Sequence, residues 1–186
     1  MAESFDAMND AHRAFIEAQQ MFFVASAPLS ADGHVNVSPK GLDTLRILDA
    51  NRVAYLDLTG SGNETSSHVR ENGRVTIMFC AFTGAPNVLR LYGTGRVVLP
   101  GDPAWEALRC RFGDYPGVRQ VFDIDVHRVQ TSCGYAVPNY DYVEQRDTLI
   151  RWTNAKAKDG IENYWREKNS RTIDGAPTPL GDLLSG

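Results

Sequence analysis

The feature that most constrains the fold is a succession of short β-type segments in hairpin order. Residues 21–29 (MFFVASAPL) are largely apolar, and Asp32-Gly33 shortly after them is typical of a tight hairpin turn. In HVNVSPKG (34–41) the valines alternate with polar residues, which predicts an antiparallel return strand with one buried face.

The rest of the chain continues this pattern. Strands are predicted at 53–58, 74–82, 88–99 and 121–131, and helices at 4–20, 64–71 and 102–112. Strand and helix do not alternate, so a doubly wound parallel sheet is excluded, and a small closed or split antiparallel β-barrel with peripheral helices is favoured.

The last third of the chain differs from the part before it. Residues 140–170 have a charged, helical pattern, and residues 173–186 resemble a loose tail. We therefore predict two units: a barrel domain at 1–139 and a helical C-terminal extension at 140–186 that packs on the barrel or on a dimer partner.

Charge and cysteine content exclude several classes of protein. The net charge of -4 and the scattered arginines argue against nucleic-acid binding. There is no apolar run of the roughly 18 residues that a membrane span needs, and the N-terminus lacks a signal-peptide pattern. Cys80, Cys110 and Cys133 are odd in number and far apart, which argues against a disulfide framework. We expect a cytoplasmic protein without a membrane partner.

A glycine-spaced turn, Gly60 to Asn63, precedes the predicted short helix. It allows two interpretations, a plain turn with a helix cap or a cradle for a phosphate. The free N–H groups of a helix N-terminus, with hydroxyls from Thr65 and Ser66, suit an anion. The carboxylate of Glu64 opposes one.

Two further stretches carry candidate residues. Pro39 cannot donate to a strand ladder, so this strand end should be an edge or a bulge, and Lys40 follows at once. Lys40 is either a surface lysine or a ligand contact. Cys133, in the polar stretch 130–135, is either a small buried hydrophobe or a reactive thiol. The sequence has neither HxxxH nor CxxC, so no metal site is predicted.

Four segments together resemble the pyridoxamine 5'-phosphate oxidase-like family of FMN-binding split barrels. They are FFVASAPLSADGHVNVSPKG, VAYLDLTGSGN, HVRENGRVTIMFCAF and VLRLYGTGRVV. The junction REN-x-RV and the strand ending G-x-G-R-V are the most specific parts. The resemblance covers roughly residues 15–135 and implies a mainly β fold, a six-stranded antiparallel split β-barrel with peripheral helices.

The resemblance also implies a homodimer with FMN at the subunit interface. We assign as candidate cofactor contacts Asn36, Val37, Ser38, Pro39, Lys40, Gly41, Asp57, Leu58, Thr59, Asn63, Thr65, Ser66, Arg90, Gln130, Ser132 and Cys133.

Departures from the family pattern indicate a divergent member. Vitamin B6 oxidases of this family carry Ser-Arg-Lys where this chain has Asn63-Glu64-Thr65, and arginine where it has Val35. Their substrate-binding C-terminal Trp and Arg motif is also not recognisable. The predicted function is thus that of an FMN-dependent oxidoreductase acting on an unidentified small molecule and not on vitamin B6. No catalytic residue is assigned.

Two alternatives remain open. The protein could bind flavin without turnover, as a store or redox sensor that uses Cys133. It could instead hold haem or a deazaflavin in the same barrel. Haem would need an axial ligand, for which His34, His68 or His127 would have to face the pocket.

Overall fold

A computed structural model of the chain describes residues 2–157 and 159–186. Within them, eight strands form one antiparallel sheet: β1 Glu3–Phe5, β2 Phe22–Ser26, β3 Asn36–Lys40, β4 Leu45–Asp49, β5 Arg52–Leu58, β6 Arg74–Cys80, β7 Val88–Val98 and β8 Val118–Ser132. The strand order is β3-β2-β6-β7-β8-β5-β4, and β1 pairs with β8.

The helices are short and lie outside the sheet. They are α1 Asp10–Glu17, α2 Glu64–Asn72, α3 Trp105–Arg109, α4 Thr148–Asn154, α5 Gly160–Tyr164 and α6 Pro179–Leu183, with a π-helical turn Trp165–Asn169 continuing α5. Among the described residues no helix is long and apolar enough to cross a bilayer.

The predicted class, a mainly β antiparallel split barrel with peripheral helices, is confirmed. The sheet contains two strands more than the six predicted. One of them, β1, overlaps the start of the segment predicted as a helix from residue 4. It forms because Glu3, Ser4 and Phe5 pair with the end of β8. The helix begins only at Asp10, where the Asn9 side chain accepts from the His12 N–H and caps it. The other, β4, pairs with β5.

The long strand β8 organises the barrel. It pairs with β7 along most of its length, with β5 from Val118 to Asp125, and with β1 near its end. The β5 register shifts between Asp57, opposite Gln120, and Leu58, opposite Val118. Arg119 is therefore the extra residue of a β-bulge, a feature that re-aims side chains at the rim of a barrel.

The barrel interior is filled by apolar side chains that alternate along the strands. Val24, Tyr55, Ile77, Leu91 and Phe122 are among the residues that are essentially inaccessible to solvent. This alternation is the expected result of a sheet curled around one core.

The C-terminal residues are ordered, so the prediction of a loose tail is wrong. Thr178 and Leu180 are buried, and the Thr178 hydroxyl caps α6 by accepting from the Gly181 N–H at 3.0 Å. The Ser67 hydroxyl of α2 donates to the carbonyl of Pro177 at 3.1 Å. These contacts hold the C-terminal segment against α2, which local sequence pattern alone could not indicate.

Candidate functional site

A cavity with a mixed polar and apolar lining, cavity A, has a volume of about 750 Å³ and opens between β3, the end of β5, the start of α2 and the C-terminal segment. Six of the predicted cofactor contacts line it: Asn36, Ser38, Lys40, Asp57, Asn63 and Thr65. Asn36, Ser38 and Lys40 are brought together by the two-residue period of β3, which turns every second side chain toward the cavity.

Asp57 is the centre of a buried polar network beside cavity A. Its side chain is 2% exposed. One carboxylate oxygen accepts from Lys40 Nζ at 3.0 Å, and the other accepts from Arg119 Nη2 at 2.8 Å and from Gln120 Nε2 at 2.9 Å. Arg119 is itself 3% exposed and also donates to the carbonyl of Gly62 at 2.8 Å.

The bulge in β8 explains how two consecutive residues reach the same carboxylate. In a regular strand Arg119 and Gln120 would point to opposite faces. Because Arg119 is the extra residue of the bulge, both side chains bond Asp57 on one side of the sheet.

The network fixes the charge of Asp57. Burial alone would raise the pKa of this carboxyl group, but the charges of Arg119 and Lys40 outweigh burial and, with the hydrogen bonds from Lys40 and Gln120, hold the pKa below its ordinary value. Asp57 is therefore an anion in neutral solution. The pair of cations around it leaves the cluster with one net positive charge.

An aromatic pair borders the network. The ring of Tyr55 is fully buried and stacks on Phe122, with ring centroids 4.6 Å apart, and Phe122 lines cavity A. The Tyr55 hydroxyl has no hydrogen-bond partner among the described residues. Burial first, and then the charge of Asp57, raise the pKa of this phenol well above its ordinary value. Tyr55 therefore stays neutral.

The start of α2 provides a second polar wall. Asn63 accepts from Gln120 Nε2 at 2.8 Å, and the Thr65 hydroxyl accepts from Asn36 Nδ2 at 3.0 Å. Ser66 is fully buried, donates to Gln120 Oε1 at 3.0 Å and does not line the cavity. Thr65 and Ser66, predicted as a pair of phosphate donors, thus occupy different positions.

Three cationic residues of cavity A were missed by sequence reasoning: Arg119, Lys168 and Arg171. Arg119 is brought in by the bulge, and the other two by the C-terminal segment, so no local pattern marks any of them. With Lys40 they make four cationic side chains against the carboxylates of Asp57 and Glu64. With His34 neutral, the lining carries a formal charge of +2 in a chain of -4.

A second cavity, cavity B, holds most of the remaining strand-end residues. It has a volume of about 540 Å³ and is lined by Pro39, Gly41, Leu58 and Thr59, which were predicted as cofactor contacts. Lys40 lines both cavities. Across cavity B, Gln145 accepts from the Leu42 N–H at 2.9 Å and donates to the carbonyl of Gln20 at 2.7 Å.

The last predicted contacts lie away from cavity A. One row of paired residues crosses β3, β2, β6, β7 and β8: Pro39, Phe23, Met78, Arg90 and Gln130. Arg90 donates to the Ser132 hydroxyl at 3.2 Å in the same region. We call this side of the sheet the outer face. Val37 belongs to it and is 60% exposed, and Cys133 follows β8 as an exposed free thiol.

The histidines are dispersed. His34 lines cavity A, with Nδ1 2.6 Å from a carboxylate oxygen of Asp174. His68 is buried on α2, its Nδ1 3.0 Å from the Ser26 hydroxyl, and burial lowers its pKa. His127 is exposed on the outer face. Within 2–157 and 159–186 no group of three or more potential metal ligands is found.

Comparison with known proteins agrees with this geometry. Residues 8–133 match the family described as Pyridoxamine 5'-phosphate oxidase. The chain is 37% identical over 190 residues to the pyridoxamine 5'-phosphate oxidase family protein ustO of Aspergillus flavus, and the match covers 93% of this chain and 76% of that protein.

Solved structures show the same fold. HupZ of Group A Streptococcus has a TM-score of 0.52 at 22% identity, covering 72% of this chain and 99% of its own. A Clostridium acetobutylicum protein related to general stress protein 26 of B. subtilis, of the pyridoxinephosphate oxidase family, has a TM-score of 0.52 at 12% identity, covering 75% and 94%. By its sequence match and its fold, this chain belongs to the pyridoxamine 5'-phosphate oxidase family.

Proposed function

We propose that the protein binds FMN in cavity A and is an FMN-dependent oxidoreductase acting on a small molecule. The observation that carries this proposal is the positive lining of cavity A, with Lys40 and Arg119 fixed by a buried carboxylate, in a protein of this family. The volume of about 750 Å³ is within the range of cofactor pockets.

The residues present fit such a cofactor. Asn36, Ser38 and Thr65 offer polar groups along one wall, and cationic side chains offer charge for a phosphate. Val35 and Ile173, which line the cavity and are 69% and 73% exposed, supply an apolar surface on which a ring can pack. Bound FMN would supply the electron transfer, which no side chain of the site could perform by itself.

The chain's own contribution would be orientation and electrostatics. Asp57 holds the Lys40 ammonium at 3.0 Å, so a cation stays at the boundary of cavities A and B. Tyr55 and Phe122 keep water from the inner side of the network. Cavity B, next to Lys40, would receive the organic substrate.

We further propose a homodimer formed through the outer face. Val35 is 69% exposed and borders both cavity A and a groove of the outer face lined by Ala25, Thr76 and Tyr92. A second subunit on this face would cover Val35 and Val37 and close the rim of cavity A. It would also bring the predicted contacts Arg90, Gln130, Ser132 and Cys133 into an interface.

A binding measurement tests the cofactor. The purified protein, stripped of any bound ligand, is titrated with FMN and followed by quenching of flavin fluorescence. Ser38→Val, which narrows cavity A from β3, should weaken binding, whereas Leu29→Val, in the exposed β2–β3 turn outside the cavity, should not. Absence of flavin binding by the unaltered protein would refute the proposal.

The same sample separates the alternatives. A flavin spectrum that is reduced and reoxidised without consuming any organic substrate would favour a flavin store or sensor. A Soret band that disappears in His34→Ala would favour haem, because His34 is the histidine that lines cavity A.

Light scattering tests the dimer. Val37→Lys places a charge on the outer face and should convert a dimer to a monomer, since a buried unpaired charge opposes association. Leu29→Lys is the control, because Leu29 is similarly exposed, at 63%, but lies in the β2–β3 turn. A monomeric mass for the unaltered protein would show that the dimer proposal is wrong.

A further inference from the structure

The C-terminal segment contributes a cationic wall to cavity A. Lys168 and Arg171 line the cavity from this segment, facing the start of α2 and the Asp57 network. The charges of Lys40 and Arg119 are partly compensated by their ion pairs with Asp57. Among the described residues that line cavity A, the remaining lysine and arginine side chains are Lys168 and Arg171, both in the segment 165–177.

The charges of these two residues are available to a ligand. Arg171 donates Nη1 to its neighbouring carbonyl at Gly175, at 2.8 Å, and has no ion-pair partner among residues 2–157 and 159–186. Lys168 pairs with the adjacent Glu167 at 2.8 Å, but both side chains are more than half exposed. An ion pair in water contributes little and is easily exchanged for a better partner.

The segment is held in place by buried bonds, which fixes where these cations lie. Asn169 is fully buried, donates Nδ2 to the carbonyl of Gly60 at 3.0 Å, and its own carbonyl accepts from Asn63 and Thr178. Trp165 Nε1 donates to the Thr59 hydroxyl at 2.9 Å. A cation on an ordered backbone loses less entropy on binding than one on a mobile tail.

The segment also binds the carboxylate at the start of α2, which keeps its negative charge and lines cavity A. Glu64 accepts from the Ile173 N–H at 3.2 Å, and its carboxylate lies against Gly62, where an added Cβ would clash with Oε2. The cations of the segment therefore also offset the Glu64 charge in cavity A.

From this geometry we infer that residues 165–177 form a phosphate clamp, in which Lys168 and Arg171 bind a phosphate monoester in cavity A. The inference rests on the proposed function in one respect, that the phosphate is the one carried by FMN. A phosphate monoester has a charge of nearly -2 at neutral pH, and a guanidinium can bind two of its oxygens at once. The clamp thus confers preference for the phosphorylated form of the flavin.

Comparison of FMN with riboflavin, which lacks the phosphate, tests the clamp. In the full-length protein, Lys168→Gln with Arg171→Gln should weaken FMN binding by about 100-fold, because each charge-assisted hydrogen bond that is removed accounts for about tenfold. Riboflavin affinity should not change. Arg151→Gln, which removes an exposed arginine paired with Asp147 on α4, is the matched control and should affect neither ligand.

An equal loss of FMN and riboflavin affinity would show that the segment is only structural, and an unchanged ratio of the two affinities would overturn the clamp. If the unaltered protein binds neither flavin, the proposed cofactor is wrong, and inorganic phosphate then decides the clamp by itself. Stabilisation by phosphate at constant ionic strength, present in the unaltered protein and abolished in the double variant, would support it. Its absence from the unaltered protein would reject it.

Discussion

Removal of the Asp57 charge should cost more stability than removal of an equally buried charge elsewhere. Asp57→Asn leaves the Arg119 guanidinium, 3% exposed, without its negatively charged partner and with neutral acceptors such as the Gly62 carbonyl. Lys40, at 23% exposure, can turn toward water. The penalty therefore comes almost entirely from one buried arginine.

The size of the effect follows from that burial. Breaking a buried ion pair by removing one partner costs about 3–5 kcal/mol, because the other charge stays desolvated. The total stability of a domain is about 5–15 kcal/mol, so the loss is a large fraction of it. For a chain of this length it corresponds to a decrease in Tm of roughly 6–20 °C.

Asp123→Asn is a close control. Asp123 is 4% exposed and accepts hydrogen bonds from Arg52 and Arg96, but these arginines are 39% and 51% exposed. They can be rehydrated when the charge is removed, so the loss should be clearly smaller. Equilibrium unfolding in urea, followed by tryptophan fluorescence, measures both variants, and an unchanged m value shows that the same surface unfolds.

The double variant Asp57→Asn with Arg119→Met completes the test. It removes both charges, and neutral replacement of a buried pair is often tolerated, so it should be more stable than Asp57→Asn alone. If Asp57→Asn lowers the free energy of unfolding no more than Asp123→Asn does, the unpaired charge of buried Arg119 is not the cause of the loss. The same conclusion follows if adding Arg119→Met destabilises the protein further.

Three other predictions concern individual residues. The folded-state pKa of Asp57 is lowered, so the stabilising effect of its charge is fully present above the unfolded-state pKa of 3.8 and is lost as the pH falls further. The stability of Asp57→Asn, measured by acid unfolding, should therefore fall less steeply below that pH than the stability of the unaltered protein. Gly117→Ala should destabilise the protein in thermal unfolding by more than Gly84→Ala. Both glycines have a positive φ, 70° and 73°, so the backbone strain of the two substitutions is similar. A Cβ at 117 would also lie 2.8 Å from Thr153 Cγ2, whereas the space at 84 is open. Gln145→Ala should accelerate limited proteolysis at 140–147, with a loss of about 1–3 kcal/mol for two hydrogen bonds, whereas exposed Glu144→Ala should not.

The sequence was sufficient for the class of fold. The Asp32-Gly33 signal and the alternation in β3 and β8 are local and indicated the strands, because they depend on which side chains prefer a pleated, half-buried surface. The details differ: residues 27–35 form a longer connection than a tight turn, and Val35 and Val37 lie on the exposed face. The boundaries of α2 were also predictable, because Gly73 at φ 72° takes the left-handed conformation that ends a helix. The predicted cofactor residues of β3 that line cavity A follow from the same two-residue period.

Elements that depend on distant partners were not predictable. The strand β1 forms because β8 offers a free edge more than 120 positions later in the chain, as in the pairing of Ser4 with Gln130. The order of residues 173–186 depends on contacts with α2, such as Ser67 with Pro177. No local propensity encodes a partner so far along the chain.

The charged residues of the site also divide into those that the sequence indicated and those that only the folded structure identified. From the sequence, Pro39 predicted that the strand end with Lys40 is an edge or a bulge, and β3 is an edge strand that pairs with β2 through Pro39 and Lys40 without interruption. The resemblance implied that positions 63–65 lack the cations found there in vitamin B6 oxidases. The cations that line cavity A instead became identifiable only in the folded chain. A one-residue bulge turns Arg119 onto Asp57, and the buried Asn169 anchors the segment that carries Lys168 and Arg171. Electrostatic fields depend on distances in space, and those distances exist only once the chain has folded.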